Sequence, residues 1–189
     1  MRTQRFAFLM TLVAVTLTPA ARAGTLGSGT TEFTPSVAFN RSTFTPAGGG
    51  TSGSTTHLNL SGQIGRCLTD RLELGGGLLY QRRGETGTSR NALGASGGAT
   101  LNFATEGSVV PFLSGGVGVL SYSTQGSSDR ALLLPMVRAG FRTLMGEGRS
   151  VNVSIGFQHE ANSKSTVEKD ANMLDVGVGL SLFRTPVTD

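Results

Sequence analysis

Two histidines, one cysteine and a thin scatter of ions are all that this 189-residue chain offers to a reaction. A metal cluster needs more His and Cys than that, and no Gly-x-Ser-x-Gly elbow, phosphate-cradling loop or paired-carboxylate motif occurs. No cofactor is expected. The one candidate base is His159, which ends the run Phe157-Gln158-His159-Glu160-Ala161-Asn162 in phase with Val151, Val153, Ile155 and Phe157. A base works only beside a nucleophile and an orienting group, and the next residue on its face is Ala161. Ser163 and Ser165 are displaced, and Glu168 and Asp170 have no fixed relation to it. His159 therefore reads first as a rim residue at a strand end, and so does His57. Cys67 has no second thiol with which to form an intramolecular disulfide.

A second constellation is electrostatic. Glu73, Arg138, Arg142 and Asp175, with Glu32 beside them, fall on faces otherwise made of Gly, Ser, Asn and Gln. Enclosed charges are costly alone and tolerable when paired, so these residues are expected to form an internal ion-pair and hydrogen-bond network. The alternative is a set of rim charges that reach water.

The elements that position these residues are alternating strands. In Asn172 to Phe183, Leu174, Val176, Val178, Leu180 and Leu182 recur at period two, while Asp175, Gly177, Gly179 and Ser181 fill the other face. The same pattern recurs in Thr31–Ser42, Thr55–Cys67, from Leu72 to about Gln81, in Ala92–Ala104, Leu132–Leu144 and Ser150–Glu160. In Leu132–Leu144 the oily face is read as Leu133, Val137, Ala139 and Phe141. Val109–Ser123 is a strand of unsettled phase, because both of its faces hold apolar residues. Pro35 weakens the first strand by removing a ladder donor.

The connections alternate in length. Leu68–Arg71, Thr105–Ser108 and Met145–Arg149 are tight, whereas Pro46–Ser54, Gln81–Asn91, Thr124–Arg130 and Ala161–Ala171 are longer and polar. Eight strands with short turns at one end and long loops at the other describe an all-β, antiparallel up-and-down transmembrane β-barrel. Tyr80, Phe103, Phe141 and Phe157 are candidates for an interfacial girdle.

Met1 to Ala23 has a basic start, an apolar run and a small-residue end, the three parts of an export signal; residues 24–189 are then the barrel domain. Three basic residues lie in that signal, so the net charge of +4 falls to about +1, and nucleic-acid binding loses its electrostatic basis.

Gly65-Arg66-Cys67-Leu68-Thr69-Asp70-Arg71-Leu72-Glu73-Leu74-Gly75, with Val110-Pro111-Phe112 and the Gly115 to Gly118 run, resembles the outer-membrane β-barrel domain of small bacterial surface proteins. That resemblance covers the whole mature chain and implies a bacterial outer-membrane location, membrane lipid and lipopolysaccharide as neighbours, insertion by the outer-membrane machinery, and a monomer. It departs from the family in the terminal aromatic, since Phe183 is out of phase with Leu182. The last hairpin is also similar to that of outer-membrane lipid A deacylases, whose His-x-Ser-Asn pattern would put His159 and Asn162 in the site and has Ala161 at its serine. The expected function is noncatalytic, structural or surface-interacting. The rivals are a lipid A esterase and a periplasmic lipocalin-like carrier of an apolar ligand.

Overall fold

Period-two alternation leaves each strand with one oily and one polar face, and such strands satisfy their backbone groups without an edge only by closing on themselves. The computed structural model describes residues 26–44, 53–85, 88–104, 107–124, 127–145, 148–162 and 170–184. Eight strands follow in order: β1 (Thr31–Phe44), β2 (Gly53–Cys67), β3 (Leu72–Glu85), β4 (Thr88–Asn102), β5 (Val109–Thr124), β6 (Ser127–Leu144), β7 (Arg149–Asn162) and β8 (Asp170–Arg184). Each pairs antiparallel with its neighbours, and β8 returns to β1 to close the ring. The expected up-and-down barrel is borne out. The export signal falls outside the described residues.

The polarity of the wall is unambiguous. Leu78 on β3, Leu93 on β4 and Phe39 on β1 are 72%, 68% and 62% exposed, whereas Glu32 and Asp175 are 2% and 0% exposed on the inner face. The run that organises the chain, now β8, keeps its expected phase, with Leu174 to Leu182 outward and Asp175 and Ser181 inward. Phe103, Phe141 and Phe157 are exposed on the outer face, and the Tyr80 hydroxyl donates to Asn91 Oδ1 at 3.1 Å. β5 resolves into one phase: Val109, Leu113, Val117 and Val119 point out, Val110, Phe112, Leu120 and Tyr122 in. Its inner face is apolar because it seals the lumen near both ends. Pro35 is accommodated where the ladder from β1 to β8 lapses, between Phe33 paired with Leu182 and Ser36 paired with Gly179.

Three expectations need correction. Gln81–Asn91 and Thr124–Arg130 are not loops: β3 and β4 stay paired up to Glu85 with Thr88, and β5 and β6 up to Thr124 with Ser127. A ladder bonds backbone to backbone and is indifferent to side-chain polarity once the partner strand is present. Two of the four supposed long loops thus shrink to the connections at 86–87 and 125–126, while the other two connections, 45–52 and 163–169, lie outside the described residues. Second, β6 carries one extra residue at Leu134–Pro135: Met136 pairs with Gly116 and Gln158, but Leu133 pairs with Gly118 and Glu160. This bulge at a proline, which has no N–H to give, breaks the alternation. Leu133 is therefore in register with inner-face residues and does not continue the row of Val137, Ala139 and Phe141. Third, His57 is no rim residue; it is 2% exposed inside the barrel, in phase with Asn59 and Ser61.

A narrow barrel bends its strands sharply, and glycine permits that where backbones approach. A Cβ at Gly98, on the inner face of β4, would lie 2.3 Å from the Gly115 carbonyl oxygen, with backbone on every near side. At Gly97, on the outer face, the nearest atom would be 3.6 Å away. Gly98→Ala is expected to lower stability by about 1–3 kcal/mol through overpacking, and Gly97→Ala to change it by much less. Equilibrium urea unfolding of the two variants in lipid vesicles measures the contrast.

Candidate functional site

The chemistry-bearing side chains collect inside the barrel in three layers. Nearest the short turns, Arg142 of β6 reaches Glu32 Oε2 of β1 at 2.9 Å and Glu73 Oε2 of β3 at 3.6 Å, all three nearly fully buried. The guanidinium also lies 5.8 Å from the Phe112 ring centroid and 5.3 Å from that of Phe183. Glu32 is held from its other side by a chain of donors that all run toward it. Ser150 Oγ donates to Asn152 Oδ1 at 3.0 Å, and Asn152 Nδ2 to Ser181 Oγ at 2.6 Å. Ser181 then donates to Thr34 Oγ1 at 2.9 Å, which donates to Glu32 Oε1 at 2.7 Å. The polarity is forced, because the carboxylate at the end only accepts.

In the middle layer Arg138 Nη2 lies 3.2 Å from Asp175 Oδ2 and 3.3 Å from Oδ1, and Gln158 Nε2 donates to Oδ2 at 2.6 Å. Asp175 is wholly buried, while Arg138 is 30% exposed toward the lumen. Toward the far end, Tyr122 OH lies 2.8 Å from Glu160 Oε1 and 3.0 Å from Gln81 Oε1, so its single proton has two acceptors in reach. Gln81 Nε2 in turn lies 3.2 Å from His57 Nδ1 and 3.7 Å from the Met173 sulfur. Ala92, Leu120 and Met173 pack around this group.

Glu73, Arg138, Arg142 and Asp175 are thus brought inward as two separate clusters, with Glu32 a full member of the first. Tyr122, Gln81, Glu160 and His57 were missed. Gln81 and Glu160 stand at the margins of segments read as loops, and β5 had no settled phase; the parity of His57 with Asn59 and Ser61 was the one usable signal. Between the layers is a cavity of about 170 Å³ walled by small and polar residues such as Ser36, Ser61, Gly98, Ser154 and Gly177. Several buried polar atoms on its walls, among them Asn59 Oδ1, Arg138 Nε and Arg142 Nη1, have no protein partner, which marks a space that water fills.

These groups hold one another, and no nucleophile is aimed at a base among them. Cys67 is buried at the end of β2, in register with Glu73. Among the described residues no group of three His, Cys, Asp or Glu is placed to hold a metal ion.

On the outer face, His159 Nδ1 is 2.9 Å from Asn172 Oδ1, so Nδ1 carries the proton and Nε2 is left as acceptor. An oriented base is present. At Ala161, where the deacylase pattern has serine, there is only a methyl group. Asn162 ends β7 in register with Ala131, and its side chain, like Ser163, Ser165 and Glu168, lies outside the described residues.

No family model matches the chain, and no curated protein matches it. Solved structures do. Neisserial surface protein A superposes with a TM-score of 0.55 at 14% identity, covering 79% of this chain and 96% of that one. The outer membrane protein OprG of Pseudomonas aeruginosa gives 0.53 at 12% identity, covering 86% and 100%. The outer membrane enzyme PagL overlaps at 0.47 with 18% identity, covering 75% and 97%, too loosely to bear on catalysis. The likeness is one of fold: this chain is a closed eight-stranded β-barrel of the kind found in small outer-membrane proteins.

Removing one partner from a buried ion pair strands the other. Arg142→Met is expected to destabilise the barrel by about 3–5 kcal/mol, with a smaller loss for Arg138→Met, whose partner layer is wetter. Adding Glu32→Gln and Glu73→Gln to Arg142→Met should restore part of the loss, read from denaturant midpoints in the same lipid.

Proposed function

We propose that the chain is a noncatalytic outer-membrane β-barrel that serves the cell envelope structurally or through its rim, exported by residues 1–23 and inserted as a monomer. The observation that carries this reading is the inverted polarity of the wall. All eight strands turn large apolar side chains outward, while four carboxylates and the Arg142 guanidinium are buried within. A water-soluble carrier of an apolar ligand needs the opposite arrangement. Strands of 14 to 18 residues exceed the roughly 9–11 that a tilted strand needs to cross a bilayer, so the hairpins would stand beyond the lipid on the loop side. Membrane lipid and lipopolysaccharide would cover the belt, and the outer-membrane insertion machinery would receive the strands.

The esterase reading keeps an oriented base, His159, beside Asn172. It lacks an owner for the proton that base would take, which favours the noncatalytic reading.

Leu78 stands near the middle of β3 and is the most exposed of the belt residues named above. Leu78→Arg should cost about 2–4 kcal/mol of stability in bilayers, as expected for a charge at mid-membrane depth. Fractionation checks the location: the protein should sediment with outer membranes and leave them only with detergent, and release by salt alone would overturn the proposal. Expressing the wild type or His159→Ala should give lipopolysaccharide with the same acyl chains as an empty vector. Loss of an ester-linked chain with the wild type alone would instead establish the enzyme.

A further inference from the structure

The short-turn end of the lumen is closed by a piece of chain that belongs to no strand. Leu26 is 2% exposed and packs with Val110, Leu144 and the half-buried Phe183, so that the mouth holds an apolar layer directly under the Glu32–Arg142–Glu73 cluster. Five hydrogen bonds seat the segment across the turn after β2. Gly29 N donates to the Cys67 carbonyl at 2.8 Å, and Cys67 N donates to the Thr30 carbonyl at 2.8 Å. Ser28 N donates to Asp70 Oδ1 at 3.0 Å, and Ser28 Oγ to the Leu68 carbonyl at 3.0 Å. Thr30 N closes a turn onto the Gly27 carbonyl at 3.1 Å, with Gly29 at φ +83°.

Above this layer the lumen changes character. Asn102 is completely buried, and neither of its amide atoms has a protein partner; Thr30 Oγ1, Glu32 Oε2 and Glu73 Oε2 also lack hydrogen-bond partners. Buried polar groups are rarely left so, and the lumen cavity lies above them, walled in part by Glu32, Glu73 and Arg142. The lower layer also carries two carboxylates against one guanidinium, an excess of negative charge on any path through it.

We propose that Leu26 to Thr30 is a built-in stopper over a hydrated lumen, and that its release opens a narrow path for water and small cations. The path rests on the reading that the barrel spans a membrane; the stopper does not. Its seating is a local equilibrium, held by one leucine and a few exposed hydrogen bonds, and such segments open before the barrel does.

Cys67, the chain's one thiol, lies under the stopper and reports on it. The folded full chain in detergent, and then in vesicles, is treated with a small cationic methanethiosulfonate. Labelling should be slow in the wild type and in Leu26→Met, and at least about tenfold faster in Leu26→Asp, because a buried leucine contributes more than that factor to seating. Asp70→Ala removes the acceptor of Ser28 N without touching the apolar layer, and it decides the matter should Leu26→Asp fail to fold. In planar bilayers the same variants should raise conductance over the wild type, with cations favoured over anions. Unchanged labelling in variants whose circular dichroism is that of the folded barrel would overturn the stopper. Faster labelling with no rise in conductance, or with anion preference, would overturn the path. Failure of the wild type to enter vesicles, with Cys67 still protected in detergent, would instead count against the membrane reading.

Discussion

A backbone that meets hydrocarbon on one side has to find every hydrogen-bond partner within itself, and closure of β8 on β1 is what makes this possible here. The seam joins the two ends of the described chain, Thr31 opposite Arg184, while every other ladder joins strands adjacent in sequence. With only eight strands the ring is narrow, so the inner wall is strongly curved. The glycines of β3, β4 and β5 answer that curvature: at Gly98 and Gly116 the neighbouring backbone occupies the place where a Cβ would go.

Closure also decides what the interior contains. Inward side chains from facing strands meet across a small radius, so a charge on one wall is within reach of a charge on another. Arg142 draws Glu32 and Glu73 together from strands on either side of β2, and Asp175 receives both Arg138 and Gln158. These pairs offset a desolvation cost that the fold itself imposes, and they hold register across strands that share no ladder. Polar residues that alternate with leucine and valine along a strand are the means by which an oily exterior and a wet interior are written into one chain.

Much of this was legible because its code is local. Period two in β8, β7 and β2 specified the oily face directly, and Glu73, Arg138, Arg142 and Asp175 followed by parity. Long-range facts were not legible. Parity says that Glu32 and Arg142 both face inward, but not that they meet, since that depends on strand tilt and stagger. The hairpin tips failed for a different reason: Gln81 to Asn91 is polar and still paired, because a ladder outlasts the apolar pattern that nucleates it. The β6 bulge was hidden in a run, Leu132 to Pro135, whose composition fits either face. The role of Leu26 lay in a stretch with no alternation at all.

The extended hairpins have a consequence for anything that approaches the loop end. The β3–β4 and β5–β6 tips are laced almost to their last residue, whereas the connections at 45–52 and 163–169 both spring from strands flanking the β1–β8 seam. The crown is therefore lopsided. One flank offers two pre-shaped ribbons of fixed backbone, and the other concentrates most of the chain length free of the ladder, giving a visitor a distinct front and back.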